Sequence, residues 1–210
     1  AQAEIQGTNY PIEYEKRTLE TKAAAAAIVD ACQEKTGTIK TIQGKTTQIP
    51  PPAPFDFGSL QIEAYNLFGY LPKRTGQIAE RLYLDALISY PRTSSQKLPP
   101  AINHKAILTG LSQEPTYHTL ATELLPKENL RPHEGTKEDP AHPAIHPTGN
   151  KPTRTLEEPE HRIFDLVVRR FLAAFGEPAT KQSIKATINI NGHIFYLHDS
   201  QTLKEGWFKF

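Results

Sequence analysis

The sequence predicts an α+β protein, with a β-rich domain drawn from both ends of the chain and a mainly helical domain inserted between them. Three observations predict it. Apolar and polar residues alternate near both termini, as Ile12 and Tyr14 against Glu13 and Glu15, and later as Ile184, Ala186, Ile188 and Ile190. Between those ends the apolar residues recur at helical spacing. Pro50-Pro51-Pro52-Ala53-Pro54 is a stiff polyproline stretch that makes a natural boundary. The expected division is residues 1–53 and 157–210 for the β-rich domain and 54–156 for the helical one.

In chain order, residues 1–17 read as extended. An alanine-rich helix is expected over Leu19–Glu34, with Ile28, Val29 and Cys32 as its apolar stripe and Gly37 as its C-terminal cap. Thr38–Gln48 alternates hydroxyl, apolar and polar residues in the manner of an edge strand. Past the prolines, Leu60, Ala64, Leu67 and Phe68 mark a helix ending at Gly69. Ile78, Ala79, Leu82, Tyr83 and Ala86 mark the next, with Thr75 as N-cap and apolar residues continuing to Ser89. Further helices are expected near Ala101–Leu111 and Thr116–Leu125. Residues 126–156, rich in Pro, Lys, His, Thr and Gly, read as a long ordered loop, which in a domain of this size points to function. Pro159 opens the clearest helix, carrying Ile163, Phe164, Val167, Val168, Phe171, Leu172 and Phe175 before Gly176 and Pro178. Asn191-Gly192 predicts a type I′ hairpin, whose return strand puts Phe195 and Leu197 on one face and Ile194, Tyr196 and His198 on the other.

Composition narrows the function classes. A net charge of +1 over 210 residues gives no general polyelectrolyte character, so a nucleic-acid site has to be a local groove. One cysteine, Cys32, excludes a disulfide framework or a cysteine metal cluster and fits a reducing cytoplasm. No apolar run approaches the ~18 residues of a membrane span, so no membrane partner is expected. Methionine is absent, even at position 1, and the chain is expected to be a piece of a longer protein.

The chemistry concentrates at Ser89-Tyr90-Pro91-Arg92-Thr93-Ser94-Ser95. Pro91 pushes Tyr90 out of the helical region, so the chain turns extended there. Tyr90 and Arg92 then point the same way, about 6–7 Å apart along the strand. A phenol is a weak nucleophile until it loses its proton; a neighbouring guanidinium favours the phenolate and neutralises a phosphoryl transition state. Taken alone, a tyrosine near a helix end is more often a packing residue with a wet hydroxyl. His142-Pro143-Ala144-Ile145-His146-Pro147-Thr148 holds two histidines four apart. Pro143 stands where a helical zinc motif needs Glu and no third ligand is evident, so no metal site is assigned.

Ile88–Ser95 resembles the active-site motif of type IA DNA topoisomerases, in the form of the archaeal and topoisomerase-III-like branch. Pro54-Phe55-Asp56-Phe57-Gly58-Ser59-Leu60-Gln61-Ile62-Glu63-Ala64, Ala79-Glu80-Arg81-Leu82-Tyr83 and Ala141–Thr148 resemble further family motifs, in the family's order. The resemblance implies a β-rich gate (arch) domain with an inserted catabolite-activator-like helical domain that carries the nucleophile. It implies Tyr90 as nucleophile, with Arg92 and His142 on the scissile phosphate. Ser89, Thr93, Ser94 and His146 follow as DNA contacts; Arg81, Arg74 and Lys73 are weaker candidates for backbone contacts, since exposed Arg and Lys on a helix are more often a solvated face.

The implied partner is single-stranded or negatively supercoiled DNA, met by a monomer in the cytoplasm at the nucleoid. Mg²⁺ is implied for the full-length enzyme, held by a toprim domain; no Asp-x-Asp occurs here, so none is expected to bind this chain and the chain alone is expected not to relax supercoils. The sequence departs from bacterial members at Ser94, where they often read Asp, at Leu84, where they often read Glu, and at His146, where they often read Arg. Two other readings stand beside this one: a noncatalytic module that binds single strands, and the topoisomerase module of a reverse gyrase. The 22% of charged residues and frequent Gln, Asn and Thr argue against a hyperthermophilic source and hence against the latter.

Overall fold

The computed structural model describes residues 1–210 and is α+β. It resolves into two compact units, Ala1–Ile49 with Thr180–Lys204 and Pro50–Ala179 with Glu205–Phe210.

The first unit is a five-stranded sheet of order β1-β2-β5-β4-β3, with β1 Gln2–Ile5, β2 Thr8–Tyr14, β3 Thr38–Ile49, β4 Ala179–Ile190 and β5 His193–Lys204. β4 and β5 run antiparallel, with Ala186 opposite Leu197 and Ile188 opposite Phe195. Their turn is Asn191-Gly192 with φ of 48° and 87°, the left-handed pair that a type I′ hairpin requires. Because the strand period is two, Ala186, Ile188, Ile190, Phe195 and Leu197 fall on one face and form a small core with Ile12. β3 lies at the sheet edge, as its mixed composition predicts.

Helix α1, Lys22–Cys32, begins later than expected because Thr21 Oγ1 accepts the Ala24 N–H and caps it. Only part of its predicted stripe packs: Ile28 and Cys32 touch the core, whereas Val29 is 57% exposed. Gly37 is not the cap. The chain leaves α1 through Glu34 at φ 57°, and Gly37 instead allows close approach to β4, since a Cβ there would lie 2.9 Å from Ile190 Cγ1.

The second unit holds α2 Phe57–Phe68, α3 Pro72–Leu84, α4 His104–Leu111, α5 His118–Leu124 and α6 Glu158–Ala174 around one core. Gly69 closes α2 at φ 68°, as predicted. At α3 the N-cap is Leu71 with Pro72 in the first turn, and Thr75 is fully buried inside the helix. α6 puts Ile163, Val167, Phe171 and Leu172 in the same core as Leu60, Leu82, Leu108 and Leu124. The helix therefore belongs to the helical unit, and the chain returns to the sheet near Ala179, later than the expected 157. Periodicity shows that α6 must bury a face but not what the face meets. The last residues also join this unit, where Trp207 N–H donates to Glu177 O.

Candidate active site

Three irregular segments of the helical unit, around Phe55, Tyr90 and His142, are laced together by backbone hydrogen bonds. α3 ends at Leu84, and Ala86 takes φ 55°, so the predicted helix stops before Leu87 and the chain turns extended there. Ile88 forms an antiparallel bridge with Pro147, and Ser89 N–H donates to His146 O at 2.8 Å. Phe57 N–H donates to Thr93 O at 2.9 Å, and Ile145 N–H to Phe55 O at 2.8 Å. The apolar residues Phe55, Leu87, Ile88, Ala144 and Ile145 are buried beneath these segments and fix their register to the core. Polar loop composition hid this; the signal was the short apolar pairs inside it.

Past Tyr90 burial alternates, with Pro91, Thr93 and Ser95 buried and Arg92 and Ser94 exposed. This is the extended chain that Pro91 predicts. Half-buried Tyr90 touches two rings: Tyr83 meets it edge-on at 5.5 Å, and His142 lies 4.6 Å away at 44°. Tyr90 and His142, 52 residues apart by their numbering, thus share one spot, which sequence spacing alone does not show.

Arg92 Nη2 donates to Glu80 Oε2 at 3.0 Å, and its guanidinium carbon lies 5.7 Å from the Phe57 ring centre. It lines two neighbouring clefts, one of about 350 Å³ with Ser94 and Lys137 and one of about 400 Å³ with Lys73 and Glu80. Lys137 Nζ in turn donates to Asp56 Oδ2 at 2.7 Å. Asp56 is 2% exposed, and its Oδ1 accepts the Ser59 N–H at 2.7 Å, capping α2. Burial pushes the Asp56 carboxyl up, but the hydrogen bonds from Lys137 and Ser59 outweigh it and hold the group below its ordinary range.

The predicted hydroxyls face different ways. Ser89 Oγ–H donates to Ala144 O at 3.3 Å and Ser89 Oγ accepts the His146 N–H at 3.0 Å; Thr93 Oγ1–H donates to His142 O at 3.2 Å. Both therefore tie the tyrosine segment to the histidine segment. Exposed Ser94 is bound from the opposite loop by Asp139, which sequence reading missed. His146 is 8% exposed with Nδ1 2.8 Å from Ala144 O, and burial, then the nearby His104, holds its pKa below the ordinary value. That setting is one of packing. Arg81 lies within 3.9 Å of Glu157 and 3.6 Å of Glu160, in a network where Arg154 also binds Asp85 and Glu160. Arg74 stacks on Tyr70 at 4.3 Å.

No three His, Cys, Asp or Glu side chains converge to hold a metal ion. Near Tyr90 and Arg92 the carboxylates of Glu80 and Asp139 are each engaged in protein hydrogen bonds, so the donor set does not fit a Mg²⁺ site, which wants several oxygens about one centre. No helix is long and apolar enough to cross a membrane.

A family model described as DNA topoisomerase matches residues 2–210. DNA topoisomerase 1 of Pyrococcus horikoshii is 43% identical over 205 residues, covering 97% of this chain and 30% of that protein. DNA topoisomerase 1 of Methanocaldococcus jannaschii is 47% identical over 175 residues, covering 83% of this chain and 23% of its own length. The full-length topoisomerase I structure from Thermotoga maritima matches with a TM-score of 0.70 at 20% identity, over 99% of this chain and 34% of that one, which is a likeness of fold. The chain thus spans between 23% and 34% of the length of these relatives.

Proposed function

The chain belongs to the type IA DNA topoisomerase family, and from that premise we propose that it carries the strand-cleaving part of such an enzyme, with Tyr90 as nucleophile. Tyr90 Oη attacks the phosphorus of a single-strand phosphodiester and gives up its proton. The bond from phosphorus to the 3′-oxygen breaks, that oxygen leaves as a hydroxyl once protonated, and the 5′-phosphate stays on the tyrosine. Attack by the 3′-hydroxyl on the phosphotyrosine reverses the step after another strand has passed, relaxing negative supercoils. Arg92 stabilises charge on the phosphate oxygens, and His142 hydrogen-bonds the same phosphate. Exposed Ser94 and the segment-tying Ser89 and Thr93 shape the groove for the strand.

The observation that carries this reading is the meeting of Tyr90, His142 and Tyr83 rings beside the exposed Arg92, on segments pinned to the core. On this reading the β-rich unit is part of the gate (arch), the helical unit is the catabolite-activator-like domain, and Mg²⁺ belongs to a toprim domain outside these residues. The partner is single-stranded or negatively supercoiled DNA, met by a monomer at the nucleoid.

The test uses the complete gene product with a 3′-end-labelled single-stranded oligonucleotide, read on a denaturing gel. Wild type forms a covalent adduct, and Tyr90→Phe forms none while binding the oligonucleotide with unchanged affinity. An adduct that survives Tyr90→Phe places the nucleophile elsewhere, and a wild type that binds but never forms one leaves a noncatalytic single-strand module.

A further inference from the structure

We infer that Asp139 is a positioning residue of this site, whose carboxylate sets the His142 ring against Tyr90. The inference rests on the reading of Tyr90 as the nucleophile. Asp139 Oδ1 accepts the N–H groups of Ala141 at 2.9 Å and His142 at 3.2 Å. Its Oδ2 accepts Ser94 N–H at 3.3 Å and stands 3.3 Å from Ser94 Oγ, whose one proton it shares with Glu138 O at 3.4 Å. One carboxylate therefore joins the extended chain that follows Tyr90 to the turn that precedes His142.

The joint fixes the His142 backbone from both sides. Asp139 holds its N–H, and Thr93 Oγ1–H donates to its carbonyl at 3.2 Å. Pro143 follows and confines His142 to extended backbone. With both backbone polar groups and the dihedral held, the imidazole is delivered to the Tyr90 ring at 4.6 Å. An ionised carboxylate is acceptor-only, so both oxygens are free to take these donors. The surrounding donors, the Ala141 N–H foremost, favour that form and hold the carboxyl below its ordinary range. An amide offers a single acceptor oxygen, so if it keeps the Ala141 and His142 pair it has no acceptor for the Ser94 N–H.

Catalytic geometry is sensitive on this scale: a displacement of about 1 Å can cost on the order of a hundredfold in rate. In the complete gene product, Asp139→Asn, which is isosteric, is expected to slow adduct formation at saturating oligonucleotide by about tenfold or more, with the dissociation constant within about threefold of wild type. Because Asp139 acts through His142, Asp139→Asn is expected to cost nothing further in a His142→Ala background, whereas a general loosening of the fold costs the same in both. Asp139→Ala serves as the second variant and follows the same pattern.

Adduct formation within about twofold of wild type in Asp139→Asn overturns the inference, as does an undiminished effect in the His142→Ala background or an effect confined to binding. The Tyr90→Phe control separates the two levels. If Tyr90→Phe forms no adduct while Asp139→Asn matches wild type, only the role of Asp139 falls. If Tyr90→Phe forms an adduct, the reading of the nucleophile falls, and this one with it.

Discussion

The imidazole of His142 and the phenol of Tyr90 lie with ring centroids 4.6 Å apart, inclined at 44°. Part of that contact is apolar packing and part is the chemistry of the ring nitrogens, and the two are separable. His142→Phe keeps a flat ring against Tyr90 but loses both nitrogens. The expected outcome is a melting temperature near wild type with adduct formation down by about 10²–10⁴-fold, the usual worth of a positioned proton-transfer or hydrogen-bonding side chain. Single-turnover cleavage beside thermal melting checks it, and cleavage near the wild-type rate would leave the imidazole a packing role.

Glu80 holds Arg92 at 3.0 Å, and both side chains are about half exposed. Such a pair contributes only about 0–1 kcal/mol to stability. Its negative charge nonetheless sits beside the guanidinium that is proposed to meet phosphate. Glu80→Gln is therefore expected to raise affinity for a single-stranded oligonucleotide several-fold at low salt, and Arg92→Ala to lower it. Fluorescence anisotropy across a salt series reads both effects, with log affinity falling at a slope of about −0.7 per neutralised phosphate. Unchanged affinity in both variants would remove Arg92 from the DNA groove.

Asp56 is a stability residue at the edge of the site. It caps α2 through Ser59 and binds Lys137 and Gln96 from the opposite segments. Asp56→Ala is expected to cost at least the ~0.5–2 kcal/mol of a lost N-cap. Chemical denaturation measures it, and Asp56→Asn, which can still cap α2 but carries no charge for Lys137, is expected to lose less.

Local signals were legible where one residue type dictates the backbone. Asn191-Gly192 announced its hairpin, Gly69 its helix end, and Pro91 the extended chain that presents Arg92 and Ser94. Signals that depend on partners distant in sequence were not. α6 showed its apolar face, but only Leu60, Leu82 and Leu108 decide that it packs with the helical unit. Thr75 looked like a cap because hydroxyls favour helix starts, yet Pro72 already begins the helix one turn earlier. The same limit applied at the site. The motifs named Tyr90, Arg92 and His142 as candidates, whereas Asp139 carries no motif of its own and comes into view only through its bonds to Ser94 and His142. His146 sits in the same motif as His142, but alternation along an extended loop with Ile145 buried did not foretell that it too would be covered.

The buried histidines are expected to make stability depend on pH near neutrality. His104 and His146 are each 8% exposed, and His104 Nε2 has no protein hydrogen-bond partner. Burial is the largest influence on both and disfavours the charged form. Around His104 it outweighs the Leu98 backbone and Glu134, which favour the charge; around His146 it outweighs the Ala144 carbonyl, and His104 adds to it. Both folded pKa values thus lie below the unfolded value of 6.5. Between those values the unfolded chain binds more protons than the folded one, so stability rises with pH across that window. It is therefore full above about 6.5 and lost progressively as pH falls from 6.5 toward the folded values. Because a proton on either histidine opposes one on the other, the loss is expected to spread over a broad range rather than a single step. Thermal melting of the 210-residue chain between pH 8 and pH 5 checks this. The expected result is a plateau above neutrality and a decline beginning near pH 6.5, reduced in His146→Gln, whose amide does not titrate. A melting temperature that is flat down to pH 5, or a decline that His146→Gln leaves unchanged, would show that these rings do not pass through the core uncharged.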